Sequence, residues 1–239
     1  MDEPKLEREA LREGMAWRMS LSLRLQHVFF MICVFVLALT GLALFFADSD
    51  ISRWLIELQG GFENRGLIHR IAAVGLIISV AVHVLYSLFS AHGSREFRRR
   101  FLGREDFRRF ADSVRYSIGR RKQPPAGGKY AFGQKVHYWL SGFFAVTMIV
   151  SGLMLWDPTT TISFVPQWVV PVLLALHGYE GLLLVIVAVI WHLYDVHLSP
   201  RNFPMSSVWL SGKMPLDKAK EHHRLEYERL TGEQGEGDE

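Results

Sequence analysis

The chain of 239 residues has a single cysteine, Cys33, set within a long apolar stretch. One cysteine excludes an intrachain disulfide and a cysteine-based metal cluster, and its setting is that of a small buried apolar residue. Acidic side chains are missing from the mid-depth of every long apolar stretch, the nearest exception being Glu180 near one end of the last. Their absence weakens an ion-transporter reading, because neither a proton relay nor an oxygen-ligand site for a hard cation can be built there. No small-residue cleavage site follows the first apolar stretch, which is also too long for the core of a signal peptide.

What the chain does have is segregation. A mean hydropathy of +0.13 coexists with 21% charged residues, so apolar and charged residues stand in blocks rather than interleaved as in a soluble domain. A hydrocarbon core needs roughly 20 mainly apolar residues in a helix that satisfies its own backbone. Four stretches qualify: 23–46, 66–90, 136–156 and 169–194. The expected fold is therefore all-α, an integral membrane four-helix bundle. The connection 92–132 holds ten Arg and two Lys, whereas 47–64 holds only Arg53 and 157–168 holds neither residue type. By the positive-inside tendency this connection and both termini are cytoplasmic. The expected organisation is a cytoplasmic segment 1–21, a membrane domain 22–198 and a cytoplasmic tail 199–239. Residues 232–239, acidic and glycine-rich, read as disordered.

Two helical pairs resemble each other across the basic connection. His27 precedes Thr40-Gly41-Leu42, and His137 precedes Ser151-Gly152-Leu153; the second and fourth stretches each carry two histidines, His69 with His83 and His177 with His192. Residues 14 apart on a helix lie about 21 Å apart along its axis and some 40° apart around it, so both face one side; at 15 apart the angle grows to about 60°. Six histidines inside apolar stretches are costly unless they meet a cavity, a partner or a cofactor. Imidazole is the neutral ligand that haem iron accepts on its axial faces, from facing helices of a bundle. Gly41, Gly75, Gly152 and Gly181 would let a flat macrocycle or another helix approach.

These features resemble a known family, the cytochrome b (gamma) subunits of membrane-bound formate dehydrogenases, within the di-haem cytochromes b that also serve nickel-iron hydrogenases. The resemblance is carried by Arg24 to Phe46 with His27, Gly66-Leu-Ile-His69, Lys129-Tyr-Ala-Phe-Gly-Gln-Lys135, Ser151-Gly-Leu-Met-Leu-Trp156, His177 to His192, and the tail Lys220-Glu-His-His223. It implies that His69 and His177 hold a haem b near the outer face, and that His27 and His192 hold a second near the inner face. It further implies a partner iron-sulfur subunit outside, a catalytic subunit beyond it, and menaquinone or ubiquinone near the inner haem. A multihaem cytochrome c is an alternative partner. Lipid and quinone complete the expected contacts, with no nucleic acid, in the cytoplasmic membrane of a prokaryote.

The pattern departs from the family in three places. The family's Asn before the third span, which helps line its quinone pocket, is Ala131 here, although Gly133 and Gln134 match. The His177 to His192 spacing is one residue longer, which points to a bulge in the fourth span. His83 and His137 are additional. His83 is related to His192 by the repeat and is an alternative to His27 as inner ligand; His83 with His137 is a candidate pair for a third haem. Gln134 and His137 share a helix face, so with Gly133 they are the candidate quinone contacts. Arg70 and Arg24 are candidate propionate contacts, or else interfacial. Residues 50–60 have the amphipathic pattern of a helix lying along the outer surface.

The expected role is an electron-transfer subunit without a catalytic centre for a primary substrate. The rivals are a stand-alone quinol-linked cytochrome b, and a non-redox scaffold or metal transporter using the histidines.

Overall fold

The computed structural model describes residues 3–200 and 202–232, and 76% of these are helical. From the N-terminus the elements are α1 (Glu3–Arg12), β1 (Met15–Trp17), α2 (Leu21–Phe45), α3 (Asp50–Leu58) and α4 (Gly61–Phe89). The basic connection is largely helical, with α5 (Ala91–Arg99) and α6 (Arg104–Ser117), and leads into α7 (Phe132–Trp156), α8 (Pro158–Thr161) and α9 (Val169–Ile186). The last continues without a break as a π-helix over Val187–Leu198; the tail holds α10 (Val208–Ser211), β2 (Lys213–Pro215), α11 (Leu216–His222) and α12 (Arg224–Thr231). Arg201 and, apart from Gly232, the run expected to be disordered at 232–239 lie outside the described residues.

Among the described residues, four helices are long and apolar enough to cross a membrane: α2, α4, α7 and α9 with its π extension. Each matches one of the four apolar stretches, and α4 starts five residues earlier than its run because Gly61 to Arg65 already turn as helix. Their large side chains stay exposed, Phe35 at 62% and Ile190 at 68%. Such exposure is tolerable only where lipid rather than water surrounds the helices. The chain is a multi-pass membrane protein. The amphipathic stretch after α2 is α3, capped by Ser49, whose hydroxyl accepts from the Ser52 N–H at 3.2 Å.

The chain divides into two compact units, Leu25–His83 with Ser141–Ser206, and Met1–Arg24 with Val84–Leu140 and Ser207–Glu239. In the first, the bundle unit, α2 packs on α4 where Gly75 leaves room for Cys33; a Cβ at Gly75 would lie 2.8 Å from the Cys33 sulfur. The ring of contacts continues with Arg70 over the Trp156 ring at 5.4 Å, Thr147 hydrogen-bonded to Glu180, and Phe45 edge-on to Tyr179 at 5.3 Å.

The second, the loop-and-tail unit, is held by buried charge. Glu96 is 1% exposed; it accepts from Lys129 at 2.9 Å, from Arg99 at 2.7 Å and from the Tyr130 hydroxyl. Buried Arg18 donates to the Lys129 carbonyl. β1 pairs antiparallel with β2, Ala16 opposite Met214. The tail also reaches the connection into α7: His223 Nδ1 bonds the Gly128 carbonyl at 2.7 Å and Leu225 N–H donates to the Gly127 carbonyl at 3.0 Å. A Cβ at Gly127 would clash with the His222 carbonyl, so only glycine allows this approach.

Burial opposes ionisation of Glu96, but Lys129, the Tyr130 hydroxyl and Arg99 overcome it and hold the carboxyl down to about 2. Burial beside Arg18 pushes the His223 imidazole down to about 4, which keeps it neutral, the form in which Nδ1–H can donate to the Gly128 carbonyl. A carboxyl depressed from an ordinary value of 4.5 contributes stability that is full above that value and is lost as pH falls toward about 2. Tail amides in α11 and α12 should therefore keep their hydrogen-exchange protection at pH 7, begin to lose it below about 6.5, where a protonated His223 favours the unfolded chain, and lose more below about 4.5 as the Glu96 contribution goes. Glu96→Gln, which leaves Lys129 buried without its counter-charge, should cost about 3 kcal/mol and remove that protection at pH 7. Unchanged exchange in that variant would show that the ion pair does not hold the unit.

Candidate functional site

The bundle unit brings four imidazoles together in two pairs. His69 on α4 faces His177 on α9, ring centroids 6.4 Å apart with the planes at 72°. His27 on α2 faces His192 on the π segment, centroids 6.2 Å apart and planes at 48°. The two residues of each pair come from different helices, as axial ligands from facing helices must.

The His69 and His177 rings are held in the same way. Thr40 on α2 lies 2.7 Å from His69 Nδ1, and Ser151 on α7 lies 2.8 Å from His177 Nδ1. Each hydroxyl also donates to the carbonyl four residues back, Thr40 to Val36 at 2.7 Å and Ser151 to Thr147 at 2.8 Å. A hydroxyl has one proton, and the helix carbonyl takes it, so toward the imidazole the oxygen can only accept. Nδ1 therefore carries the ring proton in both histidines, and Nε2 keeps a bare lone pair, the form that binds metal. Both hydroxyl residues are 2% exposed, so water does not compete.

The glycine after each hydroxyl residue makes room for the same ring. A Cβ at Gly41 would lie 3.6 Å from His69 Cε1, and one at Gly152 would lie 3.1 Å from His177 Cε1. The repeated small-Gly-Leu step is thus a seat for the imidazole of a neighbouring helix. Neither the partner nor the orientation is visible along a single helix. Gly75 and Gly181 serve helix packing, against Cys33 and Met148.

The bulge expected in the fourth span is the π-helix, marked at its end by Ser199 N–H donating five residues back to Tyr194 at 2.8 Å. At about 4.4 residues per turn, the π segment turns roughly 80° per residue instead of 100°. Ten α-helical and five π-helical steps bring His192 to within about 10° of where a 14-residue α spacing would put it.

Of the additional histidines, His83 has its Nδ1 2.9 Å from Gln26 Oε1. His137 belongs to the loop-and-tail unit, as do Gly133 and Gln134. The Gln134 amide oxygen accepts from the Ala131 N–H at 3.1 Å, a cap on the start of α7. Arg70 rests on Trp156, while Arg24 donates to the Leu210 carbonyl.

Two buried groups in the bundle add polar capacity. Glu180 accepts from Thr147, and its second oxygen has no hydrogen-bond partner among the described residues. Arg65, 7% exposed, donates to the Thr40 carbonyl at 3.0 Å, and among the described residues no carboxylate pairs with it. Arg65 precedes His69 by one turn and so shares its face; that spacing was the signal for it. Among the described residues no three His, Cys, Asp or Glu side chains gather to hold a bare metal ion. Two facing imidazoles suit a metal that brings its other ligands with it.

A family model described as prokaryotic cytochrome b561 matches residues 18–201. The cytochrome b556(fdo) subunit of formate dehydrogenase from Escherichia coli is 26% identical over 211 residues, 87% of this chain and 89% of that protein. The cytochrome b556(Fdn) subunit of the nitrate-inducible formate dehydrogenase of the same organism is 24% identical over 85% of this chain and 86% of its own length. A formate dehydrogenase cytochrome b556 subunit from Haemophilus influenzae is 29% identical over 56% of this chain and 51% of its own length.

The two glycine seats differ in tightness, which separates two otherwise similar substitutions. Gly152→Ala should destabilise the protein by about 1–3 kcal/mol, because the His177 ring must shift to admit the methyl group. Gly41→Ala, in ordinary contact distance, should be neutral or stabilising by up to about 1 kcal/mol through helix propensity. Thermal unfolding in detergent measures both, and equal effects would remove the role assigned to the seat at Gly152.

Proposed function

The chain belongs to the prokaryotic cytochrome b561 family, and from that premise we propose that this membrane cytochrome b carries two b-type haems linking an external electron donor to the quinone pool. The observation that carries the haem count is the spacing of the two imidazole pairs. An imidazole nitrogen binds a transition metal at about 2 Å and the ring centre lies roughly 1 Å behind it, so two rings on opposite faces of one iron have centroids about 6 Å apart. The pairs stand at 6.2 and 6.4 Å. His69 and His177 would hold one haem and His27 and His192 the other. Arg65, buried and without a carboxylate partner among the described residues, would supply positive charge to a propionate at the first site. Haem b supplies a one-electron carrier at each level.

Two carriers are what a ~30 Å hydrocarbon layer requires. The basic connection and the chain termini are assigned to the cytoplasm, which puts His69 and His177 at the outer level and His27 and His192 at the inner. The relatives are formate dehydrogenase subunits, and this supports an assembly with an iron-sulfur subunit and a catalytic subunit outside the membrane. The quinone is assigned to the inner side, at the first turns of α7. Gln134 and His137 share a face there, three residues apart, and quinone reduction takes two electrons and two protons, the latter from water on that side.

Two measurements test this reading. Haem extracted per purified chain should equal two, and His177→Ala should lose one while keeping the other; both haems retained would overturn the assignment of the outer ligand. His137→Leu and Gln134→Glu, the second of which preserves the cap on α7 while removing the amide donor, should slow quinone turnover with both haem spectra intact. Normal turnover in both would move the quinone elsewhere, and loss of a haem in the His137 variant would make that residue a ligand.

A further inference from the structure

The two imidazole pairs are not equivalent in what stands behind them. At the first, both Nδ1–H groups donate to buried hydroxyls, His69 to Thr40 and His177 to Ser151. At the second, His27 Nδ1 is buried and has no hydrogen-bond partner among the described residues. An acceptor behind the distal nitrogen of a ligating histidine fixes its tautomer and raises its basicity. A more basic axial ligand donates more strongly to iron and favours the ferric over the ferrous state, which lowers the reduction potential.

We infer that Thr40 and Ser151 are positioning residues that act through His69 and His177 to give the outer haem the lower potential of the two, so that electrons run downhill from the outer site to the inner. This rests on the di-haem assignment above. The two hydroxyls are not incidental to helix packing. They occupy matching places in the two halves of the repeat, each is 2% exposed, and each points its lone pair at an imidazole while its own proton is spent on the preceding turn. In hydrocarbon such a bond is not diluted by water, so its polarising effect on the ring is retained.

The consequence is a contribution to the potential gradient that comes from uncharged side chains, separate from the charge that Arg65 brings to the outer site. It also sets the two levels of the bundle apart, with each half of the repeat contributing to both: the His69 and His177 level would hold the haem of lower potential and the His27 and His192 level the haem of higher potential. No proton is exchanged at either hydroxyl, because each keeps its own on a backbone carbonyl throughout.

The experiment is a redox titration of the haem absorption bands in the purified protein, on the wild type, Thr40→Val, Ser151→Ala, Thr40→Ser and His177→Ala. Two waves are expected in the wild type. Thr40→Val and Ser151→Ala should each move the lower wave upward and leave the upper wave in place, and Thr40→Ser, which keeps the hydroxyl, should restore the wild-type value. His177→Ala should abolish the lower wave, a result that does not depend on the hydroxyl variants retaining haem. Disappearance of the upper wave instead, or an unmoved lower wave in both hydroxyl-less variants with two haems bound, would overturn the inference. Wild-type protein with no haem would overturn the di-haem assignment itself, and is distinguished by the absence of any wave.

Discussion

A histidine placed in hydrocarbon brings two ring nitrogens, one a donor and one an acceptor, and neither can be left to water. Leaving either unmet costs about 1–3 kcal/mol, so the His69 and His177 imidazoles dictate what surrounds them, whereas His27 Nδ1 is buried with no hydrogen-bond partner among the described residues. Thr40 and Ser151 answer the donor nitrogens of His69 and His177. The acceptor nitrogens then need an electrophile, and in the proposed assignment iron is that partner. The glycines beside the hydroxyl residues follow from the same demand, since the imidazole must come within hydrogen-bond reach of a hydroxyl on a neighbouring helix. Gly152, where a Cβ would stand 3.1 Å from the His177 ring, shows how little space is left. Hydroxyls bonded back to their own helix weaken it slightly. The helices tolerate this because the same oxygen fixes an imidazole of a neighbouring helix.

The π-helix at the end of the fourth span solves a related problem of register. His177 and His192 are 15 residues apart, and in a pure α-helix their faces would diverge by about 60°. Widening the turn from Val187 onward returns His192 to the face it would occupy at the shorter spacing, opposite His27. The extra residue is thus absorbed along the helix rather than expelled as a loop, which a membrane span could not accommodate without exposing backbone groups to lipid.

The four spans were legible in the sequence because hydrocarbon imposes length and composition together, and only their ends moved, α4 beginning at Gly61 rather than Gly66. Face-sharing along a single helix was legible too. What lay beyond the sequence was contact across helices. His83 is related to His192 by the repeat, and that the His27 ring faces His192 at 6.2 Å could not be read from any single helix. Thr40 and Ser151 were visible as small residues in matching places, with no way to tell that an imidazole from another span would reach them. Arg65 stands one turn from His69 on the same face, a spacing the sequence shows, but its burial and its bond to Thr40 are visible only across helices. The loop-and-tail unit was least legible: its helices α5 and α6 are rich in arginine, and its two-stranded sheet joins residues about 200 positions apart. The helices do carry a short apolar stripe, Phe107, Phe110 and Val114 in α6, but the pairing of such distant strands leaves no local pattern to follow.

That unit explains why the tail motif Lys220-Glu-His-His223 stands so far along the chain from anything it resembles in function. Its second histidine bonds Gly128, and Leu225 just beyond bonds Gly127. The next residue on the other side, Lys129, is locked to Glu96 and carries Arg18 on its carbonyl. The entry to α7 is therefore gripped from three directions: by the tail, by α5 and by the segment preceding α2. Lys135, one turn into α7, is tied in turn to Asp106 on α6 at 2.8 Å. A helix anchored this way at its first turn has little freedom to rotate. Gln134 and His137 lie on those first turns, so the direction they present is set by residues far away in sequence. In the proposed function this means that the quinone contacts are positioned by the cytoplasmic ends of the chain, while the haem ligands are positioned inside the bundle. The two kinds of site rest on separate sets of interactions, one of buried charge and one of hydroxyls and glycines.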